Sequence, residues 1–192
     1  MEKRRARLAQ IGTVRAKEIV TGKASQNAAV VVERLRGWNA AAVVEVIEFR
    51  GDTTIVVPRE LLRELCERAR SDSDLQFNLL SDATCVDRFP SEPRFEMNYQ
   101  LVSIPHQRRV TLRVRIPGSD PAVDSLFPVW PGANWLEREV FDLFGIRFNG
   151  HPDLRRILLP EDFEGHPLRR DYPVHGHRDI PSSSFGIRKN LQ

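Results

Sequence analysis

Hydrophobic and polar residues alternate most cleanly in two stretches. In 94–101, Phe95, Met97, Tyr99 and Leu101 alternate with Arg94, Glu96, Asn98 and Gln100; in 109–116, Val110, Leu112, Val114 and Ile116 alternate with Arg109, Thr111, Arg113 and Arg115. A period of two gives each strand one wet and one dry face, which favours antiparallel pairing, with 105–108 as the hairpin connection. Upstream, 43–49 and 53–57 are rich in β-branched residues around Arg50-Gly51-Asp52, a second hairpin, and Pro58 ends its second strand. The apolar run 75–80 reads as a further strand.

The helical period appears elsewhere. Residues 28–37 place Val31, Val32 and Leu35 on one side, with Gly37 as the stop, and 59–70 place Leu61, Leu62, Leu65, Cys66 and Ala69 opposite Arg59, Glu60, Arg63, Glu64 and Glu67. The pattern predicts an α+β fold: an antiparallel or mixed sheet with helices packed on one face. Four prolines in 117–132 predict a surface linker. After it, Asn134 with Glu137 three residues on forms a capping-box pattern for a helix of about ten residues that Gly145 ends. Leu136, Val140, Leu143 and Phe144 would form its packed side. Arg138 and Asp142 stand at i and i+4, where they can pair, and Glu137, Arg138, Glu139 and Asp142 otherwise read as a solvated face.

The segment beyond Gly145 is dense in Pro, Gly, Arg, acid and His and lacks apolar periodicity. It is expected to be an extended arm that cannot offset its own ordering entropy and is held by something else. The expected organisation is a basic extension at 1–27, an α+β domain at 28–133, and the capped helix with its arm at 134–192.

Composition narrows the chemistry. The chain has 192 residues and a formal charge of +3. Residues 1–27 carry seven Lys/Arg against Glu2 and Glu18, a net of +5, so the remaining body sums to −2. A mildly acidic body is a poor phosphate-binding surface, so no nucleic-acid partner is expected; the basic leader is either a solvated extension or a contact for anionic lipid or an acidic neighbour. The sequence contains no transmembrane-length apolar run, and its start lacks the apolar stretch of a signal peptide. Cys66 and Cys85 are the only cysteines, without metal-ligand spacing, which fits a reducing compartment and excludes a disulfide framework.

His151, His166, His175 and His177 lie in the arm near acidic residues, which raises a metal-dependent hydrolase as one alternative. They sit on Pro/Gly-rich loops rather than on one helix face, so turn or interface roles are favoured. Arg155-Arg156 and Arg169-Arg170 flank Leu154, Ile157, Leu158 and Leu159, and Leu168, Tyr172 and Pro173. Guanidinium forks beside large apolar groups suit either an interface centre or an ion-pair network within the chain.

Glu137-Arg138-Glu139, Asp142, Phe144-Gly145-Ile146, Phe148, the run from Gly150 to Leu158 and the run from Gly165 to Pro173 resemble the signature of the 30 kDa subunit family of respiratory complex I, the C subunit of bacterial NADH-quinone oxidoreductase. The resemblance implies a non-catalytic member of the peripheral arm of a proton-pumping complex, next to the 49 kDa-type subunit and the cluster-bearing subunit. FMN and iron–sulfur clusters would belong to partner subunits, with no cofactor or metal in this chain. Location would be peripheral, on the cytoplasmic side of the bacterial membrane, and the chain is too short for the fusion to its large 49 kDa-type neighbour found in some relatives. The expected partner interface is Glu137, Arg138, Glu139, Asp142, His151, Asp153, Arg155, Arg156, His166, Arg169, Arg170, Asp171, Tyr172 and Pro173. A related membrane-bound hydrogenase or plastid-type dehydrogenase uses a similar protein and is the nearer alternative.

Overall fold

The computed structural model describes residues 23–173. Five strands form one mixed sheet: β1 (Glu45–Phe49), β2 (Asp52–Val56), β3 (Leu79–Asp87), β4 (Phe95–Ser103) and β5 (Arg108–Ile116), in the order β1-β2-β5-β4-β3. All neighbours are antiparallel except β2 and β5, which run parallel. Helices α1 (Lys23–Trp38), α2 (Leu62–Ser71) and α3 (Ala133–Phe144) contribute Val31 and Leu35, Leu62 and Leu65, and Val140 and Phe144 to a single apolar cluster with the dry face of the sheet. That face is the one the alternation predicts: Phe95, Met97, Tyr99 and Leu101 pair across β5 with Ile116, Val114, Leu112 and Val110, all buried. The α+β expectation with helices on one face holds.

Four local expectations change. Helix α1 starts at Lys23, so the last residues assigned to the basic extension belong to it; the rest of that extension lies outside the described residues. Residues 75–78 are not a strand. Gln76 takes a positive φ of 42°, and β3 instead begins at Leu79. The sequence hides β3 because its register shifts between Leu80 and Asp82, which breaks the period of two, and because its buried side carries the small Ala83 and Cys85 and the charged Asp87 while Leu79 and Val86 are exposed.

The proline-rich 117–132 segment is not a surface linker. It contains β6 (Ala122–Asp124) and buries Val123, Leu126, Val129 and Trp130, whose indole Nε1 donates to the Phe77 carbonyl at 3.2 Å. Strand β6 pairs in parallel with β7 (Arg147–Asn149), and α3 is the helix that connects the two, as a parallel pair requires. Finally, α3 is not capped by Asn134. Gly132 is its N-cap, and no side chain caps it there.

Candidate functional site

Helix α3 carries three carboxylates on the side that the sequence reads as polar; Glu139 is exposed, but Glu137 and Asp142 turn out to be fully buried. Glu137 points toward the segment before the helix: its oxygens accept from Ser125 Oγ and from the Leu126 N–H, both at 2.6 Å. Burial pushes its carboxyl up to about 7, against the opposing pull of these two donors and of Arg63. The Tyr99 hydroxyl is also fully buried, has no hydrogen-bond partner, and has its titration raised by burial and then by Glu137. The capping-box role of Glu137 is replaced by this cross-link between α3 and the segment after β6.

Asp142 points the other way, toward the arm. Its Oδ2 accepts the N–H groups of Ile157, Leu158 and Leu159 at 3.1, 2.8 and 2.9 Å, and its Oδ1 accepts Arg156 Nη1 at 2.7 Å. Burial alone would raise its titration; these backbone and guanidinium donors outweigh it and hold the carboxyl below its ordinary value. Arg138 does not pair with Asp142 at i+4. It crosses to the arm instead, donating to the carbonyls of Arg155 and Arg156 at 3.1 and 3.0 Å, while its guanidinium lies 5.3 Å from the Trp135 ring.

The end of α3 explains the second half of the motif. A helix leaves its last carbonyls without intrahelical partners, and here the arm supplies them. Gly145 adopts φ 71° and donates its N–H to Phe141 O; His166 Nδ1 lies 2.9 Å from Asp142 O, the Leu168 N–H donates to Leu143 O at 3.1 Å, and Arg169 Nε donates to Phe144 O at 2.6 Å. The arm passes so close that a Cβ on Gly145 would stand 2.5 Å from His166 Nε2. Placing the Arg169 charge at a helix C-terminus also suits the helix dipole. His166 is held below its usual titration by burial first, which keeps the ring neutral near pH 7.

A second carboxylate fixes the far end of the arm. Asp87, at the end of β3, accepts two bonds from Arg94 at 2.9 and 2.8 Å and the N–H groups of Phe89 and Arg170 at 2.9 Å each. Burial works against its ionisation, yet these donors pull its carboxyl down to about 2. Arg94 reaches on to Asp171 at 2.7 Å, and Tyr172 stacks on Phe163 with ring centroids 6.1 Å apart.

The residues expected at an interface therefore divide. Glu137, Arg138, Asp142, Arg156, His166 and Arg169 brace the chain internally, and Asp171 and Tyr172 have partners inside it. His151 contacts the Asn134 carbonyl at 3.2 Å. Glu139, Asp153, Arg155, Arg170 and Pro173 face outward, although Asp153 and Arg155 pair with each other at 2.9 Å. The expectation that the arm has nothing of its own to lie on is corrected, because buried carboxylates and helix-end carbonyls hold it without needing apolar periodicity. Sequence reading missed Asp87 and Arg94, which lie about 80 residues from the segment they hold and belong to no local pattern. Among the described residues, no group of three His, Cys, Asp or Glu is placed to hold a metal, and His175 and His177 lie outside them.

Fold and site together define a two-layer α+β scaffold whose arm, residues 150–173, is strapped back over α3. The model of the family "Respiratory-chain NADH dehydrogenase, 30 Kd subunit" matches residues 55–178. The chain belongs to this 30 kDa subunit family. The C subunit of the NADH-quinone oxidoreductase of Geobacter sulfurreducens is 47% identical over 154 residues, covering 80% of this chain and 93% of that protein. Its counterpart in Roseiflexus sp. (strain RS-1) is 47% identical over 146 residues, covering 76% and 84%. Among solved structures, the trypsin-resistant fragment (1-134) of Nqo5 is similar with a TM-score of 0.57 at 36% identity, covering 67% of this chain and 99% of the fragment. A chain of the membrane-bound sulfane sulfur reductase, an archaeal respiratory membrane complex, shares the fold with a TM-score of 0.66 at 21% identity, covering 86% and 95%.

Proposed function

We propose that this chain is a non-catalytic assembly subunit in the peripheral arm of a proton-pumping NADH-quinone oxidoreductase, on the cytoplasmic side of a bacterial membrane. FMN and iron–sulfur clusters belong to its partner subunits, and electron transfer from NADH to quinone belongs to the whole complex. Its neighbours are the 49 kDa-type subunit and the cluster-bearing subunit. The family match carries the complex; one observation carries the mode of contact. The strapped helix–arm unit leaves Trp135, Leu158 and Leu168 exposed at 61%, 61% and 51%, while Glu137, Arg138, Asp142, Arg156, His166 and Arg169 are engaged within the chain. Large apolar side chains presented on a rigid support are what a partner interface buries at its centre, with outward-facing Glu139, Asp153, Arg155 and Arg170 as a polar rim.

The relatives named as NADH-quinone oxidoreductase components do not favour the hydrogenase-type alternative. In agreement with a peripheral position, no described helix is long and apolar enough to cross a membrane. The test is recovery of companion subunits through a tag on this chain carrying Leu158→Glu and Leu168→Glu. Companions should be lost while the circular dichroism and melting temperature of the isolated chain stay unchanged. Full recovery of the complex would overturn the proposed docking face.

A further inference from the structure

Four charged side chains are buried among the described residues: Asp87, Glu137, Arg138 and Asp142. A buried charge is costly unless a counter-charge or a proton compensates it. Asp87 has Arg94 at 2.8 Å and Asp142 has Arg156 at 2.7 Å, while Glu137 can take up a proton. Arg138 has neither remedy. A guanidinium stays charged in proteins, and among the described residues no carboxylate lies within ion-pair distance of it. Asp142, one turn along α3, is already engaged by Arg156, so two guanidinium charges stand against one carboxylate there.

The group is also held with one end unused. Its Nε and Nη2 donate to the carbonyls of Arg155 and Arg156, and its central carbon lies 5.3 Å from the centre of the Trp135 ring. Nη1 makes no hydrogen bond among the described residues and is not sealed from the surface. It therefore opens where α3 meets the arm, beside the exposed Trp135 and two residues from the exposed Leu158. The two carbonyl bonds fix the guanidinium in place, so little side-chain freedom is left to lose when an anion binds. The acids of this chain nearest in sequence do not fill the place: Asp153 pairs with Arg155 at 2.9 Å, and Glu139 is exposed on α3.

We propose that Arg138 anchors a carboxylate of a partner subunit: an Asp or Glu side chain on the surface that covers Trp135 and Leu158 reaches Nη1 and supplies the missing counter-charge. The inference rests on the docking face proposed above and adds what that face selects for. Apolar groups packed over Trp135 exclude water from the pair, which strengthens it and fixes the register of docking. A partner surface with Lys or Arg at the same point would be rejected.

The test uses the assembled complex. Arg138→Lys keeps the charge and places an amine near the guanidinium position, and a carbodiimide joins an amine to a carboxylate only where the two touch. Mass spectrometry should then find an amide from position 138 to an Asp or Glu of a companion subunit, absent from the parent complex treated alike. An amide only to Asp153 or Glu139 of this chain overturns the proposal, as does no amide from position 138 in an assembled complex. The parent complex gives a second readout that needs no substitution. Its electron cryo-microscopy map should show a companion's carboxylate oxygen about 2.8 Å from Nη1; water, a carbonyl or a carboxylate of this chain in that place overturns the proposal. Leu158→Glu with Leu168→Glu keeps the two readings apart. Companions lost in that variant, with no companion carboxylate at Arg138 in the parent, retain the docking face and overturn the anchor. Full recovery overturns the docking face, and a companion carboxylate at Nη1 would still establish the anchor.

Discussion

Three buried carboxylates show how neighbours decide what the same chemistry does. Asp142 and Asp87 each receive a guanidinium and at least two backbone N–H groups and stay ionised, whereas Glu137 receives one hydroxyl and one N–H and is pushed up to about 7. For Glu137 the folded state holds its proton more tightly than the unfolded chain, whose carboxyl titrates near 4.5. Its contribution to stability is therefore full below pH 4.5 and declines as pH rises through 7. Glu137→Gln should flatten this decline, which urea titrations at pH 5 and pH 8 would reveal; an unchanged difference between the two pH values would assign the slope to other groups. Gly145 makes a second residue-scale claim. An alanine there meets both a left-handed backbone and the His166 and Arg169 side chains, so Gly145→Ala should lower unfolding stability by about 1–2 kcal/mol from the backbone alone, measurable by denaturant titration.

At the scale of the elements, the arm is held by ionic ends and a helix terminus rather than by a hydrophobic stripe, so its attachment depends on charge. The Asp87 and Asp142 carboxyls both titrate below their unfolded value near 3.8, Asp87 at about 2. Stability of this kind is present above the unfolded value and is lost as pH falls through the folded one. Between pH 8 and pH 5 the arm should therefore resist cleavage after Arg155, Arg156, Arg169 and Arg170. Below about pH 4 the strap should loosen progressively, with a rising yield of clipped arm in an acid-active protease digest. Asp142→Ala should make the arm sensitive to trypsin already at pH 7, because three N–H groups and Arg156 lose their shared acceptor. Equal digestion of the parent and this variant would mean that the strap is not what protects the arm. The sequence announced α2, β4 and β5 through their periods, and Gly145 as the stop of α3. It could not announce the strap, because Asp142 meets 156–159 and Asp87 meets 170 through backbone N–H groups that every residue carries. The surface-face reading of Glu137 and Asp142 failed for the same reason: charge normally signals solvent, and only the tertiary fold supplies enough donors to bury it.

For the whole molecule, one apolar cluster joins the three helices to the dry face of the sheet and extends through Val123, Leu126 and Trp130 into the segment that positions α3. Helix α3 is thus fixed by the core on one side and by the arm on the other. Cys66 and Cys85 sit inside this core, where burial raises both thiols, Cys85 to about 12. Neither should react with a thiol reagent at pH 8 on the timescale of minutes, and both should react together on unfolding, which a thiol-counting assay with and without denaturant checks. The family signature, read from the sequence as a contact surface, in large part folds the chain on itself: its charges hold the arm against α3, with Leu158 and Leu168 exposed on the arm and Trp135 exposed on the helix. The most direct measurement is amide hydrogen exchange of the isolated full-length chain, read at Ile157, Leu158, Leu159 and Leu168. If the arm is held within the chain, these four amides exchange far more slowly than unstructured peptide at pH 7, and Asp142→Ala releases the first three. Exchange at the unstructured rate in the isolated parent chain would contradict an internally held strap and return the arm to a segment ordered only by its partners.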